Sequence, residues 1–340
     1  MVITDMVESE TTVVLLSRRG GDSLALEHRQ QLAAMADVKA YALEKPPTRR
    51  QARELLAPAD VLAVTNACLP VLDDDLLGRL PRLRTVVLFA TGHDAVDLEA
   101  LRRHGVNLIA VPDYATVSVA EHALGMLLSM TNRLHLANDR SLGRCPPGVS
   151  LRGVQMSGRT ACVIGLGRIG LHLCSLLLAL GTRVVGVDPD PLARQCAAAA
   201  GVECVGLVPG LTVADAVILT ASRAFGDPPV LDRERLRLLP AHAFLINVGR
   251  KELVDTPAVI EALTRQALRG YAVDDVVINP ADRRGNGELV RTGRLLQSGH
   301  RAWWTDEALH RGTYLWGERI IAAIAVDPGA VPARRGGEAE

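Results

Sequence analysis

The stretch from Thr160 to Asp188, TACVIGLGRIGLHLCSLLLALGTRVVGVD, constrains the fold of this chain more than any other. Its first apolar run, Ala161 to Ile164, is too short for a helix and suits a buried parallel strand. Gly165-Leu-Gly167-Arg168-Ile169-Gly170 follows at once. An apolar-periodic helix then runs to about Leu180, with Gly181 placed to end it. A second run, Arg183 to Val187, ends in Asp188. The order is strand, glycine turn, helix, strand, acid. In such a unit the first glycine allows a tight turn, the second lets a pyrophosphate approach the backbone, and the third lets helix and strand pack closely. The helix N-terminus offers free N–H groups and a positive dipole to the phosphates. Asp188, 18 residues after Gly170, stands where a carboxylate binds the ribose diol of NAD and repels a 2′-phosphate. Glycines at this spacing alone are weak evidence; framed by both strands, the helix and the acid, they specify an NAD site.

A chain of 340 residues, 48% of them hydrophobic, has room for two ordinary domains with sizeable cores. Its 38 basic and 38 acidic residues balance, so nothing in its charge calls for a nucleic-acid or membrane-surface partner. The six cysteines form no CxxC pair and no Cys/His cluster with metal spacing, so no metal is expected. Cys162 and Cys174 fall in the first strand and the following helix and read as core thiols. The N-terminus, MVITDMVESE, lacks the basic start and apolar core of a secretory signal, and no apolar run reaches membrane-spanning length. A cytoplasmic location with reduced thiols is the expectation.

Strands and helices alternate along the chain, which argues for parallel sheets with crossover helices. Strands are expected at 12–17, 61–64, 83–89 and 106–111, with helices at 22–36 and around Leu72 to Leu80. The loop Ala90-Thr91-Gly92-His93 follows a strand end, where ligands bind in open α/β sheets. A long helix, apolar nearly all round, runs to about Leu134, with Ser118 and Glu121 spaced as a capping box. Such a helix suggests burial between domains or subunits. Residues 139–158 form an irregular connection. Beyond Asp188, strands are expected at 214–220, 242–248 and 271–277, and helices at 231–239, 256–267 and 306–326. Residues 279–294 read as a polar loop, and a solvated tail begins near Pro332.

The segments ATGHDAVDLEAL, VPDYATVSVAEHALGMLL, TACVIGLGRIG, VVGVDPD, LINVGRKELVD, YAVDDVV and GHRAWWTDEAL together resemble the D-isomer-specific 2-hydroxyacid dehydrogenases, in that family's order and across nearly the whole chain. The likeness is greatest to the glycerate dehydrogenase/hydroxypyruvate reductase branch. It implies two doubly wound parallel-sheet (Rossmann/flavodoxin-like) domains with a cleft between them. A substrate-binding domain would comprise 1–116 plus 309–340, and an NAD-binding Rossmann domain 117–308. It implies a small acid as substrate, NAD as cofactor, and a homodimer formed through the nucleotide domain. Arg250, in the pattern N-x-x-R, would clamp the substrate carboxylate and polarise its keto oxygen. His300 would give that oxygen its proton. Trp303, Thr91 and Gly92 would shape the substrate pocket. Gly165, Gly167, Arg168, Ile169, Gly170, Asp188, Val248 and Asp274 would bind the cofactor, Asp274 through the nicotinamide carboxamide.

Three positions depart from the family pattern. Lys251 stands where a glycine is usual and Gly299 where a proline is. The third position bears on chemistry: the family places a Glu before a proline, 29 residues after the arginine, and that position here is Asn279. An amide can orient an imidazole but cannot stabilise imidazolium as a carboxylate does. Asp282 lies close enough in sequence to substitute. The superfamily's formate dehydrogenases carry an amide here, but their substrate-binding Asn is matched by Ala115, which argues against formate. Two alternatives to a hydroxypyruvate or glyoxylate reductase therefore stay open. One is an NAD-binding regulator or scaffold with little turnover, like the related C-terminal-binding-protein corepressors. The other is a specialised dehydrogenase acting on an unusual acid or phosphonate.

Overall fold

The computed structural model describes residues 11–93, 95–223, 226–279 and 287–325. It divides into two compact units, one running through Tyr114 and resuming at Asp306, the other comprising Ala115–Thr305. Both are α/β with wholly parallel sheets.

The first unit holds β1 (Thr12–Ser17), β2 (Asp37–Ala42), β3 (Val61–Thr65), β4 (Thr85–Phe89) and β5 (Asn107–Ala110), in the order β2-β1-β3-β4-β5. β1 is buried along its entire length, as a central strand covered on both faces must be. The helix Asp306–Ala325 returns to this sheet, and the Trp316 indole donates to the Val87 carbonyl at 3.1 Å. Gly312 is needed there because a Cβ would come within 2.6 Å of the Phe89 ring.

The second unit holds β6 (Thr160–Ile164), β7 (Arg183–Val187), β8 (Glu203–Cys204), β9 (Ala216–Leu219), β10 (Phe244–Asn247), β11 (Gly270–Val273) and β12 (Leu295–Gln297). Their order is β12-β11-β10-β9-β6-β7-β8. The chain winds one way from β6 through β7 to β8, then crosses back to β9 and winds the other way. The switch point lies between β6 and β9, and in open α/β sheets ligands bind at the carboxyl ends of the strands beside such a point. Cys162 and Cys174 are fully buried, and burial pushes both thiols up to about 12.

Several elements differ from the sequence reading. The edge strands β2, β8 and β12 and the helix Pro191–Ala199 were not legible in the sequence. Short edge strands carry too little apolar periodicity to announce themselves. The long helix spans Thr116–Asn132 and begins two residues before Ser118. Ser118 is therefore no cap: its hydroxyl pairs with that of Thr305 at 2.7 Å. Arg133, at φ 57°, ends this helix, and a second one, Leu134–Ser141, starts at once. The strand expected at 271–277 stops at Val273, and a helix, Gly287–Arg291, interrupts the supposed polar loop. Pro280, Asp282 and the tail from Pro332 lie outside the described residues.

Candidate active site

Because every strand of the second sheet runs the same way, the loops leaving their carboxyl ends share one edge. The glycine loop follows β6, Asp188 follows β7, Val248 to Arg250 follow β10, Asp274 follows β11, and residues 298–303 follow β12. Thr91 and Gly92 follow β4 in the other unit, half-buried.

The glycine loop is shaped by its neighbours across the switch point. Gly165 has φ 98°, and a Cβ there would lie 2.5 Å from the Ala221 backbone. The Thr220 hydroxyl donates to the Gly165 carbonyl at 2.7 Å and braces the turn from the same side. A Cβ on Gly170 would fall 1.9 Å from the Gly165 carbonyl oxygen, so only glycine allows the helix to approach the strand this closely. Gly167 is different: nothing lies within 4 Å of a Cβ built there. It is the N-cap of the helix Arg168–Ala179 and supplies no side-chain cap, at a helix end of the kind that binds phosphates. Two glycines are required by packing and the middle one by room for a ligand, as a dinucleotide pyrophosphate requires.

Asp188 is half-buried and bonded twice. Its carboxylate accepts from the Leu166 N–H at 2.6 Å and from the Asp190 N–H at 2.8 Å. The first bond ties the end of β7 to the glycine loop, a holding function that the sequence did not reveal. Arg168 is exposed, Ile169 half-buried and Val248 buried, with the Val248 N–H bonded to the Leu219 carbonyl at 3.1 Å.

Arg250 is half-buried at the end of β10 in extended conformation. Its placement is the work of Asn247, which is buried. The Asn247 amide donates to the Arg250 carbonyl at 2.8 Å and accepts from the Gly249 N–H at 3.1 Å. These bonds close the turn that N-x-x-R encodes. Gly249 is packed against Leu253 and the Ala221 carbonyl, so no side chain fits. Lys251, in place of the usual glycine, opens a single turn of 3-10 helix, its ammonium 3.8 Å from Asp275.

His300 lies on a loop whose side-chain anchor is Asp274. The buried Asp274 carboxylate accepts from the Arg301 N–H at 2.6 Å, the Ala302 N–H at 2.9 Å and the Ser298 hydroxyl at 2.6 Å. Since Ser298 gives its proton to the carboxylate, its oxygen accepts from His122 Nε2 at 3.1 Å, which defines the histidine tautomer. Neither His122 nor Ser298 was singled out in the sequence; no local pattern marks a bond across 176 residues. Gly299 and His300 both have left-handed backbones, φ 71° and 62°. Proline, fixed near −65°, cannot adopt the first. Gln297 accepts from the N–H groups of Val277 and Ile278, both at 3.2 Å, and donates to the Ile278 carbonyl at 2.9 Å. These bonds draw the exposed Asn279 segment alongside the root of the His300 loop. Trp303 is half-buried, its ring 4.9 Å from that of Trp304.

Residues 124–302 match the family model for the D-isomer specific 2-hydroxyacid dehydrogenase, NAD binding domain. The chain belongs to the D-isomer-specific 2-hydroxyacid dehydrogenases. The D-lactate dehydrogenase of Escherichia coli is 30% identical over 242 residues, which are 67% of this chain and 72% of that protein. The D-3-phosphoglycerate dehydrogenase of Methanocaldococcus jannaschii is 26% identical over 86% of this chain. The matched region spans 55% of that longer relative, a little over half its length. Among solved structures, an acyclic imino acid reductase in complex with NADPH and D-Arg superposes with a TM-score of 0.79 at 19% identity, over 93% of this chain and 97% of that one, a likeness of fold. The enzyme is thus a dehydrogenase of this family acting on a CH–OH group, and its second unit is the nicotinamide cofactor domain. Among the described residues, no helix is long and apolar enough to cross a membrane, and no group of His, Cys, Asp and Glu could hold a metal.

Proposed function

We propose that this dehydrogenase reduces a small 2-keto acid, hydroxypyruvate or glyoxylate in type, to the 2-hydroxy acid with NADH. The observation that carries the reading is the support given to two side chains at one sheet edge. Asn247 holds the Arg250 turn, and Asp274 holds the His300 loop, both on the sheet edge that carries the glycine loop, where Gly167 leaves open space.

A bound reduced nicotinamide supplies the hydride. The Arg250 guanidinium takes the substrate carboxylate through paired N–H donors and draws electron density from the keto oxygen. Protonated His300 delivers a proton to that oxygen as the carbon is reduced, so the product leaves as a neutral hydroxyl. Asp188 accepts from the adenosine ribose and, being anionic, disfavours a 2′-phosphate. With both its oxygens bonded to the loop, Asp274 contributes above all by keeping His300 in place.

Asn279 supports a second reading, an enzyme taking an unusual acid or phosphonate. With an amide in place of a carboxylate, imidazolium stabilisation is weaker, and the ordinary proton relay changes. The test is NADH oxidation across 2-keto acids, formate, phosphite and phosphonate analogues. Turnover greatest with hydroxypyruvate or glyoxylate supports the first reading, and turnover confined to another acid supports the second. Tight NADH binding without turnover on any compound overturns both in favour of a regulator.

A further inference from the structure

Many of the described arginines meet carboxylates. Arg49 meets Asp73 and Asp75, Arg82 and Arg84 share the buried Asp60, and Arg159 meets Asp215. Four that do not are gathered in one place. Arg133, Arg152, Arg269 and Arg294 line a single cavity of about 380 Å³, with Ser150 and Thr292 between them. Among the described residues none of the four has a carboxylate within ion-pair distance.

The cavity lies at the opposite end of the sheet from the glycine loop. Arg269 immediately precedes β11 and Arg294 immediately precedes β12, so both sit at strand amino ends. Arg133 enters from the left-handed junction between two helices, its guanidinium donating to the Thr292 carbonyl at 2.9 Å. Its Nε is buried and has no hydrogen-bond partner. Burial first, then the charges of Arg269 and Arg294, hold the Arg133 guanidinium below its ordinary value. Arg269 is likewise lowered, by burial and then by Arg159. Arg294 donates to the Leu263 carbonyl, and Arg269 lies over the Phe244 ring at 5.2 Å. These contacts fix the side chains without neutralising any charge. Concentrating partly dehydrated like charges is unfavourable unless something of opposite sign enters.

We propose that this cavity is a binding site for a small phosphorylated molecule, separate from the active site. Guanidinium groups match phosphate oxygens in paired N–H donation. The four guanidiniums together suit two phosphoryl groups better than one. The Ser150 hydroxyl adds a donor on the cavity wall, while that of Thr292 is already given to the Glu288 carbonyl at 2.8 Å.

The test is calorimetric titration of inorganic pyrophosphate into the full chain saturated with NADH, which keeps pyrophosphate off the glycine loop. The expected result is one pyrophosphate per chain, bound more tightly than orthophosphate and weakened by added salt. Arg152→Glu, at an exposed position with no bond to lose, should reduce the affinity at least about tenfold, the equivalent of about 1.4 kcal/mol. Arg269→Gln should reduce it as well, and NADH affinity should hold in both variants. No saturable binding of pyrophosphate overturns the site, as does binding that Arg152→Glu leaves unchanged. If Arg152→Glu alters the sedimentation coefficient while the unmodified chain takes up no pyrophosphate, the arginines serve a contact between subunits and the site is overturned.

Discussion

Asp274 accepts a 2.6 Å hydrogen bond from the Ser298 hydroxyl, two residues before His300, and another of 2.6 Å from the Arg301 N–H just after it. The histidine is thus bracketed by bonds to one buried carboxylate. Asp274→Asn keeps the shape but replaces one acceptor oxygen with a donor group facing donors. We expect a stability loss of about 1–3 kcal/mol and a fall in kcat of up to about 100-fold through displacement of the proton donor. Parallel thermal melts and reduction kinetics check this. Unchanged kcat in a destabilised variant would remove Asp274 from the catalytic argument.

Arg250→Lys should lower kcat/KM by about 100-fold or more, because a point charge cannot reproduce a two-pronged donor. The Asn247 bonds that shape its turn run to backbone atoms and survive the change. NADH affinity, measured by fluorescence titration, should stay as it was. A variant with full activity means that the substrate carboxylate is held elsewhere.

Asn279→Glu introduces the carboxylate that the family resemblance implies at this position. If this side chain meets His300, the alkaline limb of kcat/KM for keto-acid reduction should move up by about one unit or more, since an adjacent anion favours imidazolium. Reduction near neutral pH should speed up for an ordinary 2-keto acid. A pH profile of both forms decides it. A variant that loses all activity would mean that the Asn279 amide touches substrate, which favours the unusual-acid reading.

Asp188 holds the glycine loop through the Leu166 N–H and is proposed to bind the cofactor there. Asp188→Ser should narrow the preference for NADH over NADPH by removing charge repulsion. It should also weaken NADH itself, because the Leu166 N–H loses its 2.6 Å acceptor. Dissociation constants for both cofactors give the ratio and the absolute change. An unmodified protein that binds the two equally would refute the role of this carboxylate.

His122 links histidine chemistry to acid stability. Burial lowers its proton affinity, an effect that nearby Asp274 only partly offsets. The folded value therefore lies below the ordinary value of about 6.5, so as pH falls through that point the unfolded chain takes up the proton first. Stability is then full above about 6.5 and is lost as pH drops toward the folded value. His135 shares this direction through its own burial. His122→Gln should flatten the dependence of the denaturation midpoint on pH below about 6.5 without abolishing it. An unaltered slope would assign the loss to His135 and other groups.

The amino-acid sequence by itself determined the two wound sheets, the glycine loop and the acid after β7, and through the family resemblance it pointed to the arginine and histidine proposed for the site. These are written in local signals: apolar runs of strand length, glycines at a fixed spacing, and a motif within a few residues of each functional group. Tertiary structure decided what those signals cannot carry. That Gly165 and Gly170 answer to packing while Gly167 leaves room depends on Ala221 and Thr220, which come from another strand. That Asp274 braces the His300 loop, with His122 behind Ser298, depends on chain segments far apart in sequence. The unpaired arginines at the far end of the sheet read, one by one, as ordinary surface charges. Only the parallel packing of β11 and β12 beside the helix junction at Arg133 gathers them into one cavity, because a side chain's neighbours are set by the fold and not by its place in the chain.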